Sequence, residues 1–162
     1  MTSILYRASS GVAGDVTRPG DTVVESGLLN AAAAPAAFGA PVKVVSGKFE
    51  KIASGDAATV FYGILSRVAP SIAGDTAQTF AGGTPNTDAV QGIVVKGYVN
   101  VVCTIGTPVR GGTVYMRVAA GTGKNVGDLE ATADGANNVA LSGVTWAVDG
   151  KDASNVTEIR IA

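Results

Sequence analysis

The stretch Ile93-Val94-Val95-Lys96-Gly97-Tyr98-Val99-Asn100-Val101-Val102-Cys103-Thr104-Ile105 puts an apolar residue or glycine at every odd position. The even row mixes Val94, Tyr98 and Val102 with Lys96, Asn100 and Thr104. A period of two over 13 residues is the signature of a strand with one buried face. It is also longer than an ordinary strand of about 5–6 residues, so a bend is predicted at Gly97, where no side chain resists one.

Outward from this segment the same period recurs. Ala58–Val68 alternates with a mixed odd row and is read as a strand. Thr113–Ala119 alternates with Val114, Met116 and Val118 inward and Tyr115 and Arg117 outward. Gly106 to Gly112, containing Pro108, reads as the loop of a long hairpin between it and the preceding strand. In Val139–Val148 the apolar parity slips from odd (Val139, Leu141) to even (Val144, Trp146, Val148) at Ser142-Gly143, as a β-bulge requires. Val156–Ile161 closes the series, with Val42–Val45 and Lys48–Ile52 as weaker strands. Gly55-Asp56, Gly74-Asp75, Asp134-Gly135 and Asp149-Gly150 mark turns, where aspartate accepts backbone N–H bonds.

Composition agrees with this reading. Of 162 residues, 48 are Ala or Gly and 46 are Val, Ile or Thr, whereas Leu, Glu and Lys are scarce. β-branched residues favour strands and the usual helix formers are few. The predicted fold is all-β: a small antiparallel β-sandwich or barrel-like body with an extended N-terminal arm. Residues 1–40 form the arm and residues 41–162 the β body.

The arm shows no sustained period of 2 or 3.6, and Gly11, Gly14, Gly20 and Gly27 recur through it. Ala31–Ala34 can start a helix, but Pro35 restricts Ala34 and stops it. Such a segment cannot bury a face of its own; it lies along another surface or stays mobile. Its apolar residues Ile4, Leu5, Tyr6, Val23, Val24, Leu28, Leu29 and Phe38 are too frequent for a solvated tail. With Arg7 and Arg18 they make up the predicted contact set. The small-residue loop Pro70–Ala89 is read as either a contact or a mobile segment.

The residues exclude much chemistry. There is no His, so the usual general base, zinc ligand and nucleophile partner are missing. One Cys makes no internal disulfide or cysteine metal site, and Cys103, on the apolar row, reads as a buried small hydrophobe. Gly121-Thr122-Gly123-Lys124-Asn125 fails as a phosphate loop, since Val118 stands where the first glycine belongs and Asn125 where Ser or Thr belongs. It reads as a turn. Trp146 shares a face with Val144 and Val148 and reads as core. The nine Asp are scattered, mostly next to Gly, and do not form a calcium loop. Twelve basic against 13 acidic residues give no basic field for nucleic acid. Met1–Arg7 lacks a secretory n-region, and Ser26–Val42 is too broken by Pro35, Gly39 and Pro41 to span a bilayer. The expectation is no enzyme, no catalytic or metal residues, no cofactor, no small-molecule substrate, no nucleic acid and no membrane, with synthesis in a host cytoplasm.

Several segments in order carry a resemblance. Gly11-Val12-Ala13-Gly14-Asp15 is followed by Arg18, Thr22-Val23 and Gly39-Ala40-Pro41-Val42. Gln91-Gly92-Ile93-Val94-Val95 and Gly97-Tyr98-Val99 follow. Then come Pro108-Val109-Arg110-Gly111-Gly112, Val114-Tyr115-Met116-Arg117-Val118, Asp128-Leu129-Glu130-Ala131, Thr145-Trp146 and Glu158-Ile159-Arg160-Ile161. The chain resembles, from about residue 10 to its end, the structural cement proteins of tailed bacteriophages, also called head decoration or auxiliary capsid proteins. The resemblance implies a homotrimer on the outer surface of the virion head, at three-fold or quasi-three-fold positions. There it would clamp major capsid protein subunits against the pressure of packaged DNA. The Ala31–Ala34 tract departs from the Gly-rich form of the family pattern. A single arm pays roughly 1–2 kcal/mol per residue for ordering, but three arms on one trimer raise overall binding by about 10²–10⁴. The alternatives are another virion module of the tail or fibre, a carbohydrate-binding adhesin module, or an enzyme built on Asp/Glu pairs. Nine aromatics, mostly in strand rows, and four widely separated Glu give the last two little support.

Overall fold

A computed structural model describes residues 11–67, 78–79 and 82–162. Among these residues there are eleven strands: β1 Val23–Leu28, β2 Pro41–Val45, β3 Lys48–Lys51, β4 Gly63–Leu65, β5 Gln78–Thr79, β6 Gly82–Gly83, β7 Val90–Ile105, β8 Thr113–Arg117, β9 Leu129–Glu130, β10 Asn138–Trp146 and β11 Val156–Ile161. The helical pieces among them are 3-10 turns of three residues. The protein is all-β.

The 16-residue β7 organises everything else. Its C-terminal half pairs with β11, from Ile161 opposite Gly97 to Val156 opposite Val102. β11 pairs with β10, β10 with β8, and β8 with β9. β9 then runs parallel back onto β7, with Leu129 beside Cys103, so this ladder closes on itself as a small barrel. Inside it lie Val99, Val101, Cys103, Val114, Met116, Leu129, Val144, Trp146 and Ile159, all buried.

The N-terminal half of β7 belongs to a second layer. β1 lies on one edge and β4 on the other, followed by β2 and β3. The Asn30 N–H donates to the Phe49 carbonyl at 2.9 Å, bringing the chain after β1 against β3. This layer curls around Leu29, Phe38, Val42, Phe49, Leu65 and Ile93. β4 and β7 form the wall between the two cores. Ile64 pairs with Val94 and both face the first core; Leu65 pairs with Ile93 and both face the second. Apolar residues on both rows of β7 are therefore needed, because both faces are covered.

Gly97 is the corner between the layers, as predicted. Its φ is +109°, and a Cβ there would come within 2.4 Å of Thr22 Oγ1. The bulge at Ser142-Gly143 is present too: the β10–β8 register shifts between Ala140 and Thr145, and Gly143 has φ +73°. Ala31–Ala33 is a 3-10 turn capped by Asn30, whose Oδ1 accepts from the Ala32 N–H at 3.2 Å, and Ala34 before Pro35 is extended.

Three expectations need correction. Ala58–Val68 is not one strand: Ala58–Val60 is a 3-10 turn and only Gly63–Leu65 is strand, with Val68 outside the described residues. The turn sets Ala58, Val60 and Phe61 against the first core together, which strict alternation would not do. β7 and β8 are not a hairpin pair, because β9 lies between them. Arg117, on the outward row of β8, is buried rather than solvated. Glu130 and Asn138 cover it, satisfying its charge instead of exposing it.

Residues 11–40 run along the chain's own sheets. The Gly14 N–H donates to the Asn100 carbonyl at 2.7 Å and the Asn100 N–H to the Asp15 carbonyl at 2.9 Å, with Val16 bridging Val99. Half of the Pro70–Ala89 loop, including the Gly74-Asp75 turn, lies outside the described residues.

Candidate functional site

β1 is the most exposed strand, and its register decides what it presents. Leu28 opposes Val90 and Val24 opposes Val94. With a period of two, Val24, Ser26 and Leu28 share one face and Glu25 and Gly27 the other. The Glu25 face is latched to the body. Tyr62 Oη donates to the Glu25 carboxylate, and the Tyr62 ring lies 5.7 Å from that of Phe49. That hydrogen bond to Glu25 holds the Tyr62 phenol above its usual pKa.

The other face is open. Val24 and Leu28 are each 44% exposed and Val90, directly across from Leu28, is 60% exposed. Val23 lies beyond a register shift, opposite Lys96, and is exposed as well. Single exposed valines are ordinary, whereas apolar side chains aligned on two adjacent strands are the pattern that interaction surfaces show.

The predicted contact residues divide. Ile4, Leu5, Tyr6 and Arg7 lie outside the described residues. Val23, Val24 and Leu28 are on the exposed strip. Leu29 and Phe38 sit in this chain's own second core, so in this conformation they offer no surface to a partner. Their neighbours Phe49 and Leu65 come from the body strands and could not be read from the arm alone. Arg18 stands over the Tyr98 ring, with Cζ 3.9 Å from the centroid, and its Nη2 donates to Glu158 Oε2 at 2.9 Å. The Thr17 hydroxyl donates to the other oxygen of the same carboxylate. Val90 was missed: it stands between a loop and the first alternating residue, and only its pairing with β1 reveals it.

On the first barrel, β8, β9 and the segment after β9 hold an ionic cluster whose centre, Arg117 and Glu130, is buried. Arg117 Nε donates to Glu130 Oε1 at 2.5 Å and Nη1 to the Ala119 carbonyl at 3.2 Å. Nη2 donates to Glu130 Oε2 at 3.2 Å and to Asp134. Asn138 Nδ2 adds bonds of 2.5 Å to Glu130 Oε2 and 2.9 Å to the Thr132 carbonyl. Hydrogen bonds from Arg117 and from Lys124 hold the Asp134 carboxyl far below the usual carboxylate range, and those to Glu130 and Asp134 raise the guanidinium's pKa. A buried pair is tolerable when its donors and acceptors are satisfied in this way.

The other sites tested are structural. Cys103 is buried, and desolvation pushes its thiol pKa up, opposite to what a nucleophile needs. Gly121 and Lys124 exchange backbone bonds of 3.0 and 3.1 Å in a tight turn. Trp146 Nε1 donates to the Thr113 carbonyl at 2.9 Å from within the core. Asp15, Asp56, Asp128, Asp149 and Asp152 each accept a backbone N–H in turns or loops. Among the described residues no three His, Cys, Asp or Glu are grouped to hold a metal, and no helix is long and apolar enough to cross a membrane.

A family model described as XM1 gp53 minor capsid protein matches residues 1–161. The chain belongs to this family. Membership in the XM1 gp53 family gives it a capsid-associated structural role and a place in the virion of a tailed phage. A solved chain from "The capsid of Myoviridae Phage XM1" is similar in fold, with a TM-score of 0.67 and 17% identity over 98% of this chain and 94% of that one. No curated protein matches. The cement-protein resemblance and the XM1 gp53 family agree on a tailed-phage capsid accessory protein, and the tail, fibre and adhesin alternatives lose their ground.

Proposed function

We propose that this XM1 gp53 family member is a decoration, or cement, protein. It sits on the outer surface of the head at three-fold or quasi-three-fold positions, as a homotrimer, and holds neighbouring major capsid protein subunits against internal DNA pressure. It works by contact and not by catalysis, and is made in the host cytoplasm. The observation that carries the reading is the open apolar strip of Val24, Leu28 and Val90, on a strand latched from its other face through Glu25 and Tyr62. Val23, Arg18 and the segment Ile4–Arg7 extend the proposed contact set. A ligand that binds the assembled shell and not its separated subunits stabilises the shell by mass action, about 2.7 kcal/mol per site when its free concentration is 100 times Kd.

The test is co-sedimentation of the purified protein with heads stripped of it. Wild type is expected to bind saturably and to raise the temperature at which the heads release DNA. The Val24→Asp/Leu28→Asp variant is expected to stay folded, because both side chains are already exposed, and to lose most of that binding. Equal binding by the variant would remove the strip from the interface.

A further inference from the structure

On the outer face of the first barrel, Thr145, Arg160 and Tyr98 stand side by side across β10, β11 and β7, since Thr145 pairs with Arg160 and Arg160 with Tyr98. Arg18 covers Tyr98 from the segment before β1, and Arg110 reaches the same place from the loop between β7 and β8. Together with Trp146 they line an open cleft of about 220 Å³. Three guanidinium groups thus border one opening. Arg18 is neutralised by Glu158. Arg110 and Arg160 are exposed, and among the described residues neither side chain has an ion-pair or hydrogen-bond partner. The nearby Asp149 carboxylate accepts the Arg110 backbone N–H at 2.9 Å, which leaves one acid at the rim against two uncompensated cations.

We infer that this cleft is a docking site for a carboxylate-bearing segment of the capsid surface, an Asp or Glu side chain held by Arg110 and Arg160. A guanidinium matches a carboxylate with two parallel hydrogen bonds. A polyphosphate backbone is a poorer match. It needs a basic track several phosphates long, whereas the net charge here is −1 and the three arginines surround one opening. The choice of partner rests on the capsid-binding reading; the anion chemistry of the cleft does not.

A blocked tetraglutamate peptide titrated at low salt in a calorimeter is expected to give a saturable binding heat, and tetraglutamine none. Arg110→Gln/Arg160→Gln should weaken peptide binding by about tenfold or more, because two charge-assisted contacts are lost. Lys48→Gln/Lys51→Gln, which removes the same charge from β3, should leave it within about twofold. Absence of a saturable heat, or equal loss in both double variants, overturns the inference. So does tighter binding of an oligothymidylate of equal charge, which would assign the cleft to nucleic acid. Sedimentation with stripped heads separates the two readings. If wild type and the arginine double variant bind heads alike, the cleft assignment fails and the capsid reading stands. If wild type does not bind heads, the capsid reading fails whatever the peptide does.

Discussion

Arg117 is a buried charge, and its cost is met by Glu130, Asp134, the Ala119 carbonyl and, through Glu130, Asn138. Replacing only one member leaves a buried charge unanswered. Arg117→Met is expected to cost about 3–5 kcal/mol of stability, read as a lower urea midpoint with an unchanged m-value. Asp134 adds a pH dependence. Its folded pKa is depressed by Arg117 and Lys124, so its contribution is complete above the unfolded carboxylate value of about 3.9 and is lost as pH falls through the folded one. The melting-temperature gap between wild type and Asp134→Asn should therefore be constant near neutrality and close progressively below about pH 4. None of this was legible in the sequence. Alternation places Arg117 on the outward row of β8 but takes that row to be solvated, and the groups that cover it stand 13 and more residues away, beyond a turn. Cys103 and Trp146 were legible, because both share a row with apolar neighbours and row membership alone decides burial there.

The strand that fixes the fold is also the one the sequence showed best. From Ile93 to Ile105 the odd row of β7 is apolar or glycine throughout, Gly97 bends where the length demanded a bend, and the parity slip in β10 marks a real bulge. Gly97→Ala must hold alanine at φ +109° and push Thr22 aside, so a destabilisation of about 1–3 kcal/mol or more is expected. An unchanged midpoint would mean the corner is not tight. β1 was not legible as a strand. Its Glu25-Ser26-Gly27 centre has no alternation, and it is held by the β7 edge and by one tyrosine hydroxyl rather than by a buried row of its own. The same weakness leaves its Val24 and Leu28 face free. Asp at both positions should shift stability by no more than about 0.5 kcal/mol, a change read in a thermal melt, while weakening head binding. Ala58–Val68 misled for the opposite reason. Its apolar residues serve two cores through a turn and a short strand, so the alternation in the letters does not correspond to one extended element.

Two layers sharing one long strand make a body whose first barrel closes its own edges, which removes the usual route to uncontrolled sheet pairing. The remaining surface is nearly balanced in charge, and its two distinctive features, the apolar strip on β1 and β7 and the arginine cleft on the first barrel, suit a protein that stays bound. A homotrimer would present three copies of each, and light scattering should give three times the 16.1 kDa chain mass; a strict monomer at high concentration would count against the trimer. Three-fold repetition lets individually weak contacts act together. The location on the particle is the claim on which the rest depends, and cryo-electron microscopy of the native head reads it directly. The account predicts density for this chain outside the shell at three-fold or quasi-three-fold positions, with Val24, Leu28 and Val90 turned onto the major capsid protein. Density inside the shell, at the tail, or with that strip facing solvent would contradict it.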